Sequence, residues 1–374
     1  MIAALVRISN KYGMDENFVL AGGGNTSFKD TNYLHIKGSG IPLADITSDG
    51  FVKMNRNALN EMFSKTYSID NKIREREVLT ELMNSRTAGE DGKRPSVETL
   101  LHNLFDYAYV VHTHPVLVNG LACSINGKTE AARLFPDAIW IDLTEPGYTL
   151  AITVKREMDS YMKIYGRRAD IVILQNHGVF VAGNTAGEID NKYNQLIGKL
   201  KTDIKLKPDF SEIDFNREHI GLLTSTIRML TGCGTTRFKV NTDIRRFVDS
   251  ESAFVPLSSI YTPDHMVYYK KAPLFIKQVS DIEEQFSLIE RKIKQYENQN
   301  GYLPGIIAIE KLGFFSIAEN IEKAIIKEQL FLDTVKIAVY SENFGGGLFM
   351  NDTIINFIEN WEAESYRQSV KERM

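Results

Sequence analysis

The sequence predicts a mixed α/β (α+β) protein, with a central β-sheet flanked by helices and then a second, smaller α/β domain. Three observations carry this. Strand-like apolar runs alternate with amphipathic, helix-like stretches from Met1 to about Asp203. The periodicity then stops through KLKPDFSEIDFN, Lys205 to Asn216, with Pro208 inside it. Finally, 374 residues is the length of about two ordinary domains.

In chain order, MIAALVRISNKYGM is a first helix and not a leader, because no basic segment precedes its apolar patch and charge arrives by Asp15. FVLAGGGNTSFK and YLHIKGSG are strand-like and meet glycine-rich turns. In PSVETLLHNLF, Ser96 is a natural N-cap, Glu98 falls in the first turn, and Leu100, Leu101, Leu104 and Phe105 form one stripe. AYVVHTHP, AIWIDL and the two halves of ADIVILQNHGVFVAG read as strands, and EIDNKYNQLIGKLKTDI closes the domain as a helix. The domains are therefore placed at 1–204 and 217–374. The second is expected to hold a helix in REHIGLLTSTIRML, an extended TRFKVNTD, and strand–turn–strand in LPGIIAIEKLGFFSI. Long amphipathic helices are expected in SDIEEQFSLIERKIKQYENQ, AENIEKAIIKEQLFLDTVKIAVYS and NDTIINFIENWEAESYRQSVKER, while NFGGGLF reads as a flexible turn. No repeat of fixed period stands out.

Composition narrows the function. Apolar content of 43% and charged content of 25% belong to a soluble globular chain. A net charge of -4 gives no bulk attraction to nucleic acid or to an anionic membrane, so an anionic substrate needs local positive charge. Cys123 and Cys233 are the only cysteines, which excludes a disulfide framework and a cysteine zinc ribbon and fits a cytoplasmic setting. No run approaches the roughly 18 apolar residues of a membrane span.

The chemistry concentrates in five segments. His112 and His114 lie two apart on a strand and so face the same way. Alone, such a pair reads equally well as strand histidines satisfied by backbone or a carboxylate. His177, at a Gly-containing break between two strand-like runs, adds a third imidazole, and three neutral imidazoles make a zinc site with an open position. Glu98 is the best-placed carboxylate, although alone it reads as an acid complementing a helix dipole. His102 on the same helix reads as structural, and His35, His219 and His265 lack metal-like spacing. The loops AGGGNTSFKD, with Asn25 and Thr26, and HIKGSGIPLADIT, with Lys37, Ser39 and Gly40, can bend backbone N–H groups toward an anion, and Ser96 adds a third candidate. The first of these loops is neither a Walker loop nor a dinucleotide fingerprint.

In this order, AGGGNTSFK, KGSG, PSVE, HTHP and QNHGVFVAG resemble the class II aldolase/adducin family, which includes fuculose-phosphate and rhamnulose-phosphate aldolases. YTPDHMVYYKKAPLF, LPGIIAIEKLGFFSI and FIENWEAESYR are similar to the middle of bifunctional rhamnulose-phosphate aldolase/dehydrogenases, whose dehydrogenase portion this sequence lacks. The resemblance implies a class II aldolase-like sheet with zinc on His112, His114 and His177, and Glu98 as an acid/base able to ligate the metal. It assigns phosphate binding to Asn25, Ser39, Gly40 and Ser96. Two departures stand out: Ser96-Val97-Glu98 replaces a Ser-Ser-Glu run, and KGSG replaces a threonine-containing TPTG, with Lys37 offering a substitute charge. The implied reaction is aldol cleavage of a ketose 1-phosphate, of L-rhamnulose or L-fuculose type, to dihydroxyacetone phosphate and an aldehyde through a metal-stabilised enediolate. The implied state is a homo-oligomer, tetramer-like. The same ligands serve decarboxylases, epimerases and dehydratases, and also accept cobalt, manganese or iron. Tyr148 and Tyr261 are candidate distal acids by residue type, and a non-catalytic adducin-like interaction module is the alternative of another class.

Overall fold

A computed structural model describes residues 1–361, which form two compact units. The first comprises residues 1–122, 126–203 and 351–361, and the second 123–125 and 204–350. The second unit thus differs from the expected 217–374 domain at both ends. The helix Asp352–Glu359 belongs to the first unit, burying Ile354, Ile355 and Ile358. Its amphipathic pattern announces a buried face but not the surface that face covers. The rest of the helix expected there, and the end of the FIENWEAESYR segment, fall on residues 362–374, outside the described residues.

The first unit is built on β1 (Asn25–Lys29), β2 (Tyr33–Lys37), β3 (Phe51–Asn55), β4 (Tyr109–Thr113), β5 (Ile139–Ile141), β6 (Ile171–Leu174) and β7 (Gly178–Gly183). They lie in the order β3-β2-β1-β4-β7-β6-β5, antiparallel except for the β5/β6 pair. Alternation sends Leu34, Ile36, Val110, Phe180 and Ala182 into one core with the helices Thr99–Leu104 and Tyr148–Tyr165. Tyr12 and Tyr193, from the helices Ile2–Gly13 and Ala186–Asp203, meet with ring centroids 4.7 Å apart. The glycine-rich run preceding β1 is loop, and the strand begins only at Asn25.

In the second unit β8 (Thr235–Lys239), β9 (Leu274–Ile276), β10 (Ile306–Ile309) and β11 (Gly313–Ala318) form a sheet in the order β8-β11-β10-β9. Ile307, Ile309, Phe315 and Ile317 pack against Ile220, Leu223, Ile227, Ile289 and Ile293 of the helices Arg217–Thr231 and Ile282–Asn300. On the alternate face Phe314 meets Phe331 of the helix Ile321–Glu342. The NFGGGLF turn is pinned: Ile125 N donates to Gly346 O at 3.0 Å and Leu348 N to Cys123 O at 2.7 Å.

The second sheet repeats the half of the first that runs β4-β7-β6-β5. Ile276 pairs with Ile309 in parallel as Ile141 pairs with Leu174, and Thr236 opposes Ile317 as Val110 opposes Ala182. The turns match as well: Asn176 and Lys311 both have φ 56°, and their N–H groups donate to Ala122 O at 3.1 Å and Val248 O at 2.8 Å. Even one side-chain contact recurs, Lys192 Nζ to Ala182 O at 2.6 Å and Lys327 Nζ to Ile317 O at 2.7 Å. It is a repeat of topology and register, not one of fixed period in the sequence. The copies share buried positions and few identical residues, and the spacing between matching elements is not constant.

Candidate metal centre

His112 is fully buried on β4, its ring stacked on Phe180 at 4.0 Å and 17°. Its Nδ1 lies 3.1 Å from Val179 O. A carbonyl only accepts, so Nδ1 carries the proton and Nε2 keeps its lone pair for a ligand. His114 is not on the strand as expected but one residue past its end, where its backbone N donates to Phe18 O at 3.0 Å. Its Nε2 still reaches to 3.0 Å from His112 Nε2. His177 sits in the β6/β7 turn, aimed by Asn176 in the left-handed region and followed by Gly178. A Cβ on Gly178 would come within 2.5 Å of Thr113 O and 2.6 Å of His114 Cδ2, so the closeness of strand and turn requires glycine there.

The three histidine ligand atoms lie within 4.8 Å of one another. Glu98, 6% exposed, places Oε2 3.4 Å from His112 Nε2 and Oε1 3.6 Å from His177 Nε2. It occupies the N-cap position of the helix Thr99–Leu104 and not its first turn, while Ser96 Oγ accepts from Glu98 N at 3.3 Å. The donors fit a divalent cation on two counts. Bonds of about 2.1 Å in a tetrahedron give donor separations of roughly 3.4 Å, and His112 Nε2 meets His114 Nε2 at 3.0 Å and Glu98 Oε2 at 3.4 Å, with the histidine atoms as a set spread over up to 4.8 Å. Glu98 Oε1 is also buried without a hydrogen bond, a costly state that a cation removes.

The anion-binding candidates divide. Asn25 faces the centre, donating Nδ2 to Glu98 Oε2 at 2.5 Å. Thr26 does not: the next residue on the strand points to the opposite face, and its hydroxyl is paired with Ser9 Oγ at 2.6 Å. The KGSG and PSVE segments come together through their backbones, with Ser39 N donating to Arg94 O at 2.8 Å and Ser96 N to Lys37 O at 3.0 Å. Gly40 adopts φ 83°. Lys37 is buried, and its charge is among the causes holding the His102 imidazole well below its ordinary pKa, after burial itself and Lys29.

His102 and Ser27 are site residues that sequence reasoning missed. His102 bonds Ser27 Oγ at 2.7 Å through Nδ1 and Asn25 Oδ1 through Nε2. Its position one helical turn after Glu98 was the available signal. Tyr148 packs on Tyr67, with centroids 4.8 Å apart. Tyr261, in the second unit, is buried and gives its hydroxyl to Pro256 O at 2.8 Å. Burial pushes both phenols up.

Residues 3–194 match the family described as Class II Aldolase and Adducin N-terminal domain. The chain belongs to this family. The aldolase/adducin match spans β1 to β7 and includes Glu98 and all three histidines of the centre. A Bacillus subtilis (strain 168) protein named "Uncharacterized oxidoreductase YuxG" is 22% identical over 410 residues, covering 98% of this chain. The chain spans only 58% of that relative's length. Among solved structures, the N-terminal class II aldolase domain of a Thermoplasma acidophilum protein is 25% identical with a TM-score of 0.45, covering 54% of this chain and 92% of that one. The L-fuculose-1-phosphate aldolase from Thermus thermophilus is 15% identical with a TM-score of 0.35, covering 54% and 89%. Among the described residues no helix is long and apolar enough to cross a membrane.

Proposed function

We propose that the first unit is a zinc-dependent lyase that splits a ketose 1-phosphate, of the L-rhamnulose or L-fuculose type, into dihydroxyacetone phosphate and an aldehyde. The observation that carries this is the buried Glu98 oxygen without a hydrogen bond, set 3.6 Å from a histidine of a three-imidazole cluster. His112, His114 and His177 would hold the metal. All three are neutral ligands, so a bound divalent cation keeps its charge and supplies a Lewis acid to substrate oxygens as the carbon–carbon bond breaks. Glu98 then moves the proton between the reacting carbon or hydroxyl and its own carboxylate. Asn25, Ser39, Gly40 and Ser96 receive the phosphate, and Lys37 adds the positive charge that the chain as a whole lacks.

The test is a coupled assay for dihydroxyacetone phosphate released from a panel of ketose 1-phosphates by zinc-loaded protein. Release from one sugar, abolished in Glu98→Gln, is the expected result. Silence across the panel with metal bound would overturn aldol cleavage and turn the search to decarboxylation or epimerisation of a related sugar acid or phosphate.

A further inference from the structure

We propose that His102 is a positioning residue: a one-way hydrogen-bond chain, Ser27 to His102 to Asn25 to Glu98, fixes which oxygen of Glu98 is tied down and which is left for chemistry. The direction follows from what each group can donate. Asn25 turns Nδ2 toward Glu98 Oε2, which accepts from it at 2.5 Å. Asn25 Oδ1 therefore faces His102 Nε2, and an amide oxygen needs a donor, so Nε2 carries the imidazole proton. His102 is fully buried, and burial and the nearby Lys29 and Lys37 charges disfavour its imidazolium, which leaves only one ring proton to assign. Nδ1 is then an acceptor, and Ser27 Oγ, 2.7 Å away, donates to it. The ring also meets Phe180 edge-on at 5.4 Å, and the residue's backbone O accepts from Lys29 Nζ at 2.6 Å.

The consequence lies at Glu98. Oε2 is committed to Asn25, while Oε1 has no hydrogen bond and faces His177. Without His102 the Asn25 amide is free to flip, presenting an oxygen to a carboxylate oxygen and releasing the carboxylate from its orientation. The functional consequence rests on the aldolase reading; the hydrogen-bond chain does not.

Two readouts on the zinc-loaded full chain test it. Nitrogen NMR of histidine-labelled protein, with His102 assigned by its absence in His102→Gln, is expected to find a neutral ring protonated at Nε2. A ring protonated at Nδ1, or at both nitrogens, would overturn the proposal, because the chain would then run the other way or break. In kinetics, His102→Leu is expected to lower kcat by about 10- to 100-fold, the range for residues that orient a metal site's ligands, and to raise KM by less than it lowers kcat, since Asn25 also receives the phosphate in the aldolase reading. His102→Gln, whose amide N–H replaces Nε2–H, should recover most of that loss. Adding His102→Leu to Asn25→Leu should lower kcat no further, as for members of one network. Multiplying losses, or a Gln variant as impaired as Leu, would make His102 merely structural. A wild-type protein inactive on every sugar would dismiss the aldolase reading and leave the tautomer to decide the chain.

Discussion

The two units carry the same scaffold and only one of them carries donors. Where the first has His112, His114 and His177, matching positions in the second have Phe238, Val240 and Leu312. The aromatic platform survives: His112 stacks on Phe180 at 4.0 Å, and Phe238 lies against Phe315 at 5.0 Å. The glycine survives too, because Gly313 would bring a Cβ within 2.6 Å of Lys239 O just as Gly178 would within 2.5 Å of Thr113 O. Among the described residues no other group of three or more potential ligands comes together as these histidines do. The comparison separates what the scaffold needs, a tight strand–turn–strand with glycine at its pivot, from what the chemistry needs, which is a few polar side chains placed on it.

Substitutions at matched positions sharpen this contrast. The largest effect is expected for His112→Ala with His114→Ala, which should remove bound metal and lower turnover by at least about 1,000-fold, since the site loses its Lewis acid; Phe238→Ala should leave both unchanged, read by elemental analysis and assay. Next, Glu98→Gln should lower turnover by about 100- to 10,000-fold, the range for a general acid/base, with metal still held by the histidines. Gly178→Ala and Gly313→Ala should each cost about 1–3 kcal/mol in denaturant unfolding, as overpacking does. Only the first should also weaken metal binding, because its methyl group meets the His114 ring. Equal loss of metal in both would break the comparison.

A smaller effect is tied to pH. His102 titrates near 6.5 when unfolded and well below that in the fold, so the native state binds fewer protons. Its contribution to stability is therefore complete above pH 6.5 and is lost as pH falls below that toward the folded value, with a slope of at most about 1.4 kcal/mol per pH unit. Urea midpoints of wild type and His102→Gln between pH 7 and 5 should converge as the pH drops. The smallest change is expected for Lys327→Met, about 1 kcal/mol for its hydrogen bond to a strand carbonyl; Lys192→Met should cost more, because it also removes the 2.7 Å ion pair with Asp170.

Much of the first unit was legible because strands announce themselves by alternation and by apolar runs, as in AYVVHTHP and IVILQNHGVFVAG. The histidine cluster was legible because its members lie at a strand end and in an adjoining turn, where spacing constrains direction. Thr26 misled because composition placed it in a glycine loop, whereas the strand starts one residue earlier and turns it toward Ser9. His102 was hidden because its role depends on partners far away in sequence: Asn25 and Ser27 on β1. The repeat was hidden because the fold preserves burial and register and lets identity drift, as Val181 and Ser316 at one matched strand position illustrate.

The most direct test of the account is the number of metal ions per chain. After loading with zinc and dialysis, elemental analysis of the wild-type protein and of His112→Ala/His114→Ala should find one ion per chain and none, respectively. Two ions per chain, or one retained in the variant, would contradict the assignment of the centre to His112, His114 and His177 alone.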